Sequence, residues 1–141
     1  EQTHTHTHIV ANEVSRLMSR PEEQDWRAAT RLAGYLKDNV GMILIHNGVV
    51  RNWSRKDRST VTALEVTPDL EKIEALRQEY LQHEGIFDVI IEAYTGTFQP
   101  GDDLLHIIVA GDIRENIKPV LADLLDRVKA EAVTKKEIFT S

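Results

Sequence analysis

Residues 104–137 read LLHIIVAGDIRENIKPVLADLLDRVKAEAVTKKE, and this stretch decides the fold. Its apolar start, Leu104 to Ala110, predicts a buried strand, and the helical spacing that follows predicts an amphipathic helix. We predict that Asn116 is the N-cap of this helix, because Pro119 would then lie in the first turn, where amides have no partner within the helix. The apolar side of the helix comprises Ile117, Val120, Leu121, Leu124, Leu125 and Val128.

The rest of the chain also mixes short apolar runs with helical spacing. The predicted strands cover residues 42–45, 61–66 and 86–94, and the longer predicted helices cover residues 22–37 and 70–83. We expect Gly48 to interrupt the first strand and residues 51–59 to form a basic loop. Strands 86–94 and 104–110 are predicted to be antiparallel neighbours joined through a Pro100-Gly101 turn. The predicted strands follow one another in pairs along the sequence and do not alternate one by one with helices. This order favours an α+β fold with an antiparallel or mixed sheet and flanking helices.

Length and composition limit the class of protein. A chain of 141 residues suits a single domain, residues 1–141, and no apolar run is long enough to span a bilayer. The net charge of -6 argues against a general nucleic-acid-binding surface, so an anionic ligand would need a local basic cluster. The absence of cysteine excludes thiolate catalysis and disulfides. Without a recognisable export signal, the cytoplasm is the expected location.

Residues 3–8 alternate threonine and histidine and are followed by Ile9-Val10. This pattern predicts an extended tail or an edge strand with His4, His6 and His8 on one side. The three histidines could form a metal-binding module, but they lack a carboxylate or other supporting ligand. We therefore predict neither a metal nor a cofactor.

The basic residues offer the clearest chemistry. Arg51, at a strand end, and Arg114 and Lys129, near the two ends of the last helix, are donors suited to phosphate, carboxylate or a developing oxyanion. Lys129 could also act as a base or nucleophile, since a buried lysine can lose its proton. The alternative is that these cations are solvated and compensate helix dipoles. His46 and His106 lie within apolar runs and are predicted to be core or interface residues.

Several fragments from Gly41 to Glu137 together resemble the large, catalytic subunit of molybdopterin synthase. The fragments that carry this resemblance are Gly48-Val49-Val50-Arg51-Asn52, Val61-Thr62-Ala63-Leu64-Glu65, Pro100-Gly101-Asp102, Arg114, Asp126, Lys129 and Lys135-Lys136-Glu137. The resemblance implies an α/β-hammerhead-like fold and a sulfur transfer that helps to build the molybdenum cofactor. In that family, the sulfur of a C-terminal Gly-Gly thiocarboxylate on a small β-grasp partner moves onto a cyclic pyranopterin monophosphate.

The resemblance also implies roles for individual residues. Lys129 matches the catalytic lysine, and either Lys135 or Lys136 matches a second active-site lysine. Arg51, with Asn52 beside it, and Arg114 match anion-binding positions. The family also implies a homodimer of large subunits with small subunits at its two ends.

The sequence departs from the family at three places. Ile113 stands where the family usually has histidine, Tyr94-Thr95 replaces a His-Arg pair, and the segment between Lys129 and Lys135 is one residue short. These differences leave a second interpretation, a non-catalytic relative that binds a ubiquitin-like partner or a pterin as a scaffold or regulator.

Overall fold

The computed structural model describes residues 4–5 and 39–139. In this part of the chain, short strands and two longer helices alternate in an α+β arrangement, as predicted. The elements are strand β1 His4–Thr5, β2 Met42–Val49, β3 Val61–Pro68, helix α1 Leu70–Leu81, β4 Ile86–Ala93, β5 Thr95–Phe98, β6 Asp103–Gly111, helix α2 Arg114–Arg127, a π-helical turn Val128–Ala132 and β7 Val133–Phe139. The helix predicted at 22–37 lies outside the described residues, as does most of the threonine-histidine tract.

The strands of the described residues form two antiparallel sheets. One has the order β1-β5-β3-β7 and the other the order β2-β6-β4. The predicted antiparallel pairing of the strands at 86–94 and 104–110 is confirmed, because β4 pairs with β6. The prediction that Gly48 interrupts the first strand is wrong: Gly48 pairs with Leu105, and the register shifts only after it.

The core lies between the three-stranded sheet and the two helices. Ile107 and Val109 of β6 and Ile91 of β4 are completely buried on the sheet face that packs against the helices. Ile73 of α1 and Ile117 of α2 are also completely buried in the same cluster. Burial of a large aliphatic side chain stabilises the fold by about 1.5–3 kcal/mol. Strand β2 belongs to this packed centre, because its Met42 and Leu44 pack against the same cluster.

Helix α2 starts earlier than predicted. Its N-cap is Ile113, which makes no side-chain capping bond, so the prediction of Asn116 as the N-cap is wrong. Asp112 contacts the start of the helix, where its Oδ1 accepts hydrogen bonds from the Ile113 amide at 2.6 Å and from Asn116 Nδ2 at 2.9 Å. Pro119 consequently lies inside the helix. The ring removes one amide donor there, a cost that burial of the helix's apolar side offsets.

Strand β7 was not predicted from the sequence. It pairs with β3 in an antiparallel register that places Lys135 opposite Val66 and Lys136 opposite Glu65. Val66 is buried and Glu65 is exposed, and directly opposed residues share one face of a sheet. The two adjacent lysines therefore lie on opposite faces.

Candidate active site

A cavity of about 760 Å³ opens where the end of β2, the basic loop, the π-helical turn and β7 meet. Its charged and titratable lining consists of His46, Arg51, Arg55, Lys56, Lys129, Lys135 and Glu137. Five of these side chains are cationic and one is a carboxylate. The chain as a whole carries a net charge of -6, so this cavity is a local basic site on an acidic protein.

The basic loop, residues 51–59, is held in a hydrogen-bonded hairpin. The Arg51 and Arg58 guanidinium groups lie over the Trp53 ring, at 4.6 and 4.2 Å from its centroid. The Ser54 amide donates to the Ser59 carbonyl at 2.9 Å, which closes the loop. These contacts restrict the orientation of Arg51 before a ligand arrives, because cation–π attraction favours the stacked position.

The backbone before Arg51 is fixed by the Pro100-Gly101 turn. The Val50 amide donates to the Asp102 carbonyl at 3.0 Å, and the Gly101 amide donates to the Val50 carbonyl at 2.9 Å. Gly101 has a φ of 95°, a left-handed conformation that glycine adopts without strain. The two family-like fragments at Gly48–Asn52 and Pro100–Asp102 thus form one structural unit beside the cavity.

Lys129 and Lys135 enter the cavity from two consecutive elements. Lys129 lies in the π-helical turn that follows α2, and Lys135 lies on β7. π-helical turns often occur at functional sites. Lys136 is exposed on the other face of β7, opposite Glu65, and does not line the cavity.

Charge and burial change the titration of two groups in the cavity. Partial burial lowers the pKa of Lys135 below its usual value, and the nearby charges of Lys129 and Arg51 lower it further, whereas Glu137 acts in the opposite direction. Burial also lowers the pKa of His46, and the charge of Lys129 adds to this effect. Burial first, and the nearby cations in addition, therefore lower the pKa values of Lys135 and His46.

The structure brings together three of the six predicted site residues, namely Arg51, Lys129 and Lys135. Asn52 is exposed just outside the cavity, and its backbone carbonyl accepts a hydrogen bond from the Val61 amide. Arg114 lies at the start of α2, where its exposed guanidinium forms an ion pair of 3.4 Å with Glu115. The anion-binding roles of Asn52 and Arg114 stay predictions.

Sequence reasoning did not assign four charged or titratable lining residues to the site: His46, Arg55, Lys56 and Glu137. The cluster of basic residues around Trp53 was a signal for Arg55 and Lys56. His46 had no such signal, because a histidine within an apolar strand is most often a core residue. Its position at the cavity depends on where β2 ends relative to β7.

The described residues contain no group of three or more histidine, cysteine, aspartate or glutamate side chains that could hold a metal ion. The metal-binding module suggested by the sequence would use His4, His6 and His8. The side chains of these residues lie outside the part of the chain that the structure describes. Neither α1 nor α2, the helices of the described region, combines the length and apolar character needed to cross a membrane.

Comparison with known proteins agrees with this architecture. The model of one protein family, described as MoaE protein, matches residues 20–131. None of the curated proteins compared is a significant match. Molybdopterin synthase from Staphylococcus aureus has a similar structure, with a TM-score of 0.63 and 21% identity over 72% of this chain and 77% of the other.

Two further solved structures have a similar fold. The molybdopterin biosynthesis MoaE protein from Burkholderia ambifaria has a TM-score of 0.65 and 22% identity, with 84% of each chain covered. A complex of subunits 1 and 2 of molybdopterin-converting factor from Helicobacter pylori has a TM-score of 0.62 and 15% identity, with 93% of this chain and 86% of that one covered. Because the family match covers most of the sequence, the chain belongs to the MoaE family, the large-subunit family of molybdopterin synthase in molybdenum cofactor biosynthesis.

Proposed function

We propose that this protein is an active sulfurtransferase, which moves sulfur from the C-terminal thiocarboxylate of a small partner onto a cyclic pyranopterin monophosphate. The observation that carries the proposal is the convergence of Lys129, Lys135 and Arg51 on one cavity. Both reactants are anions, and cations fixed before binding stabilise charge that develops during the transfer. The arrangement favours a site for two anionic reactants over solvated surface cations.

The atom balance of this transfer defines what the cavity must do. A bond forms between the thiocarboxylate sulfur and a pterin carbon, and a carbon–oxygen bond at that carbon breaks, its oxygen leaving as water or staying on the phosphate. The bond between the sulfur and the acyl carbon then breaks. The acyl group leaves as a carboxylate, so its second oxygen comes from water. We assign Lys129 to stabilisation of the charge on the reacting acyl group, and Lys135 and Arg51 to the pterin phosphate.

The rim of the cavity suits the tail of a protein partner. Val49 and Phe139 both line the cavity and are large apolar residues that stay about half exposed, at 48% and 46%. Exposed apolar side chains beside a polar pocket are typical of interaction sites. The Helicobacter pylori structure named above is a complex of two subunits. We propose that a small β-grasp subunit with a Gly-Gly end docks here, and that the large subunit forms a homodimer in the cytoplasm.

The direct test is an assay of dithiolene formation with thiocarboxylated partner and pyranopterin. We expect turnover by the wild-type protein and a loss of about 100-fold or more in Lys129→Ala, the size typical for removal of a group that stabilises developing charge. Lys118→Ala is the matched control, since Lys118 is exposed on α2 away from the cavity. Equal activity of Lys129→Ala and wild type would contradict the role of Lys129.

The second candidate function is a non-catalytic relative that binds the partner or the pterin. The observation that favours it is Ile113, which stands where the family has a histidine and which is 52% exposed. This alternative predicts measurable partner affinity by calorimetry together with no dithiolene product from the wild-type protein. Product formation above the level of the uncatalysed mixture would exclude it.

A further inference from the structure

His46 is a titratable cavity residue to which the proposed roles above assign no chemistry. It lies on β2 opposite Ile107, on the sheet face that carries the core, and its imidazole reaches the cavity wall. Its Nε2 is buried and has no hydrogen-bond partner among the described residues. An unpartnered buried nitrogen is costly, so its presence at a binding cavity points to a partner supplied by the ligand or by water.

Gly48 makes room for this imidazole. A Cβ atom at Gly48 would lie 3.3 Å from His46 Nε2, which is closer than ordinary packing allows. The backbone of Gly48 is paired with Leu105, so it cannot move away without loss of sheet hydrogen bonds. A side chain at position 48 would therefore press on the His46 imidazole, which would have to shift by a few tenths of an ångström.

The surroundings of His46 favour its neutral form when the cavity is empty. Burial lowers its pKa first, and the charges of Lys129, His106 and Lys135 act in the same direction. Among the described residues, Glu137 is the one carboxylate that lines the cavity, and it already accepts a hydrogen bond from Ser54. A neutral imidazole has one nitrogen without a proton, which can accept one. Bound thiocarboxylate and phosphate would offset the lysine charges and make the imidazole more basic.

On the basis of the sulfur-transfer function above, we propose that His46 is a catalytic residue, the proton acceptor that activates water in this cavity. The step begins with the acyl group of the partner joined through sulfur to the pterin. Water oxygen bonds to the acyl carbon, and one water proton moves to the imidazole of His46. The carbon–sulfur bond then breaks, its electron pair stays on the pterin sulfur, and the partner leaves with a carboxyl end.

This role predicts a specific kinetic defect in His46→Gln. The glutamine keeps a polar group but cannot take the proton, so we expect dithiolene turnover to fall about 100-fold, the common contribution of general base catalysis. The covalent partner–pterin adduct should accumulate, because sulfur attack on the pterin does not require His46. Intact-mass spectrometry of the quenched reaction measures that adduct. A merely structural role would lower both steps together and leave no adduct.

Two further measurements separate chemistry from folding. Imidazole added to His46→Ala should restore at least part of the turnover, because the truncated side chain leaves space for the free base. Partner affinity by calorimetry should stay within a few-fold of wild type in both variants. His83→Gln is the matched control, since His83 is exposed and stacks on Tyr80 away from the cavity.

The possible outcomes distinguish this proposal from the proposed function. Wild-type turnover together with full activity of His46→Gln would overturn the role of His46 and leave the sulfur transfer standing. A His46→Gln protein that binds its partner normally but turns over slowly, with no adduct and no imidazole rescue of His46→Ala, would also overturn it. Absence of product from the wild-type protein would instead refute the proposed function, and the role of His46 with it.

Discussion

The Ser54 hydroxyl donates a hydrogen bond of 3.0 Å to Glu137 Oε1, across 83 positions of sequence. Ser54 is almost fully buried, at 1% exposure, and its Oγ also accepts a hydrogen bond of 3.3 Å from the Lys56 amide. The hydrogen bond from Ser54 to Glu137 joins the basic loop to β7, the strand that carries Lys135. One buried serine therefore links the two sides of the cavity, in addition to the pairing of β3 with β7.

Replacement of Ser54 by alanine should loosen this connection. We expect the free energy of unfolding to fall by about 1 kcal/mol, the usual net value of a hydrogen bond, and more if Glu137 finds no other donor. Affinity for the pterin phosphate should also fall, because Arg51 and Arg55 lose their fixed position. Urea denaturation and calorimetry measure the two effects. Thr134→Val is the control, since it removes an exposed hydroxyl from the same strand, and an equal loss in both variants would refute the prediction.

Lys135 and Lys136 should contribute unequally to sulfur transfer. Lys135 lines the cavity, whereas Lys136 lies opposite Glu65 on the other face of β7. We expect Lys135→Ala to lower kcat/KM about 100-fold, as for loss of a charge-assisted contact worth about 3 kcal/mol. Lys136→Ala should stay within about twofold of wild type, since exposed ion pairs contribute little. The reverse order of activities would show that β7 presents its other face to the substrate.

The lowered pKa of Lys135 should make its amine unusually reactive. Only the neutral amine attacks an acylating reagent, and partial burial together with the nearby Lys129 and Arg51 charges increases the neutral fraction below pH 10.5. At pH 8 we expect Lys135 to be acetylated faster than the exposed Lys118, as measured by peptide mass spectrometry. Inorganic phosphate should slow the reaction by raising the pKa of Lys135. Labelling of Lys135 at the rate of Lys118, unaffected by phosphate, would contradict this.

Asp112 should make the free energy of unfolding depend on pH under acidic conditions. The hydrogen bond from Asn116 lowers its pKa first, and the bond from the Ile113 amide adds to the effect. Because the folded-state pKa is below the unfolded one, this stabilisation is complete above the ordinary aspartate pKa and is lost as the pH falls through the folded value.

The substitution that tests this prediction is Asp112→Asn, which keeps the shape of the side chain and removes its charge. We expect the difference in free energy of unfolding between wild type and this variant to be constant from pH 6 to 8 and to shrink below about pH 4. Denaturation with urea across this range measures it. Asp126→Asn, at an exposed position of α2, should show a smaller difference. A wild-type advantage that is the same at pH 3 and pH 7 would refute the assignment.

The extent to which this fold can be predicted from sequence depends on the kind of signal. The continuous apolar run at 104–110 identifies β6, and the apolar residues at helical spacing after it identify α2. The two elements can be told apart because these two sequence patterns differ clearly. The short strands β5 and β7 have few apolar residues, and their stability comes from pairing with β3, a long-range contact that local pattern does not contain. The start of α2 was also missed, because its N-cap, Ile113, makes no side-chain capping bond and so carries no signal in the sequence.

The same difference between local patterns and long-range contacts applies to the candidate site. Arg51, Lys129 and Lys135 could be predicted because their spacing resembles a family motif. The choice between Lys135 and Lys136 required the register of β7, and the role proposed for His46 required the meeting of β2 with the π-helical turn. Sequence pattern alone identifies residues within one element, whereas a cavity lies between elements.

The alternation of β7 has a consequence for how this protein tolerates the deletion of a residue. Side chains on a strand change faces at every residue, so a shift of one position reverses the face of each. Loss of one residue in the segment 130–134 would turn Lys135 outward and bring Lys136 to the position opposite Val66, beside the cavity. The doubled lysine would thus keep an ammonium group in place through a change of chain length that would otherwise remove it.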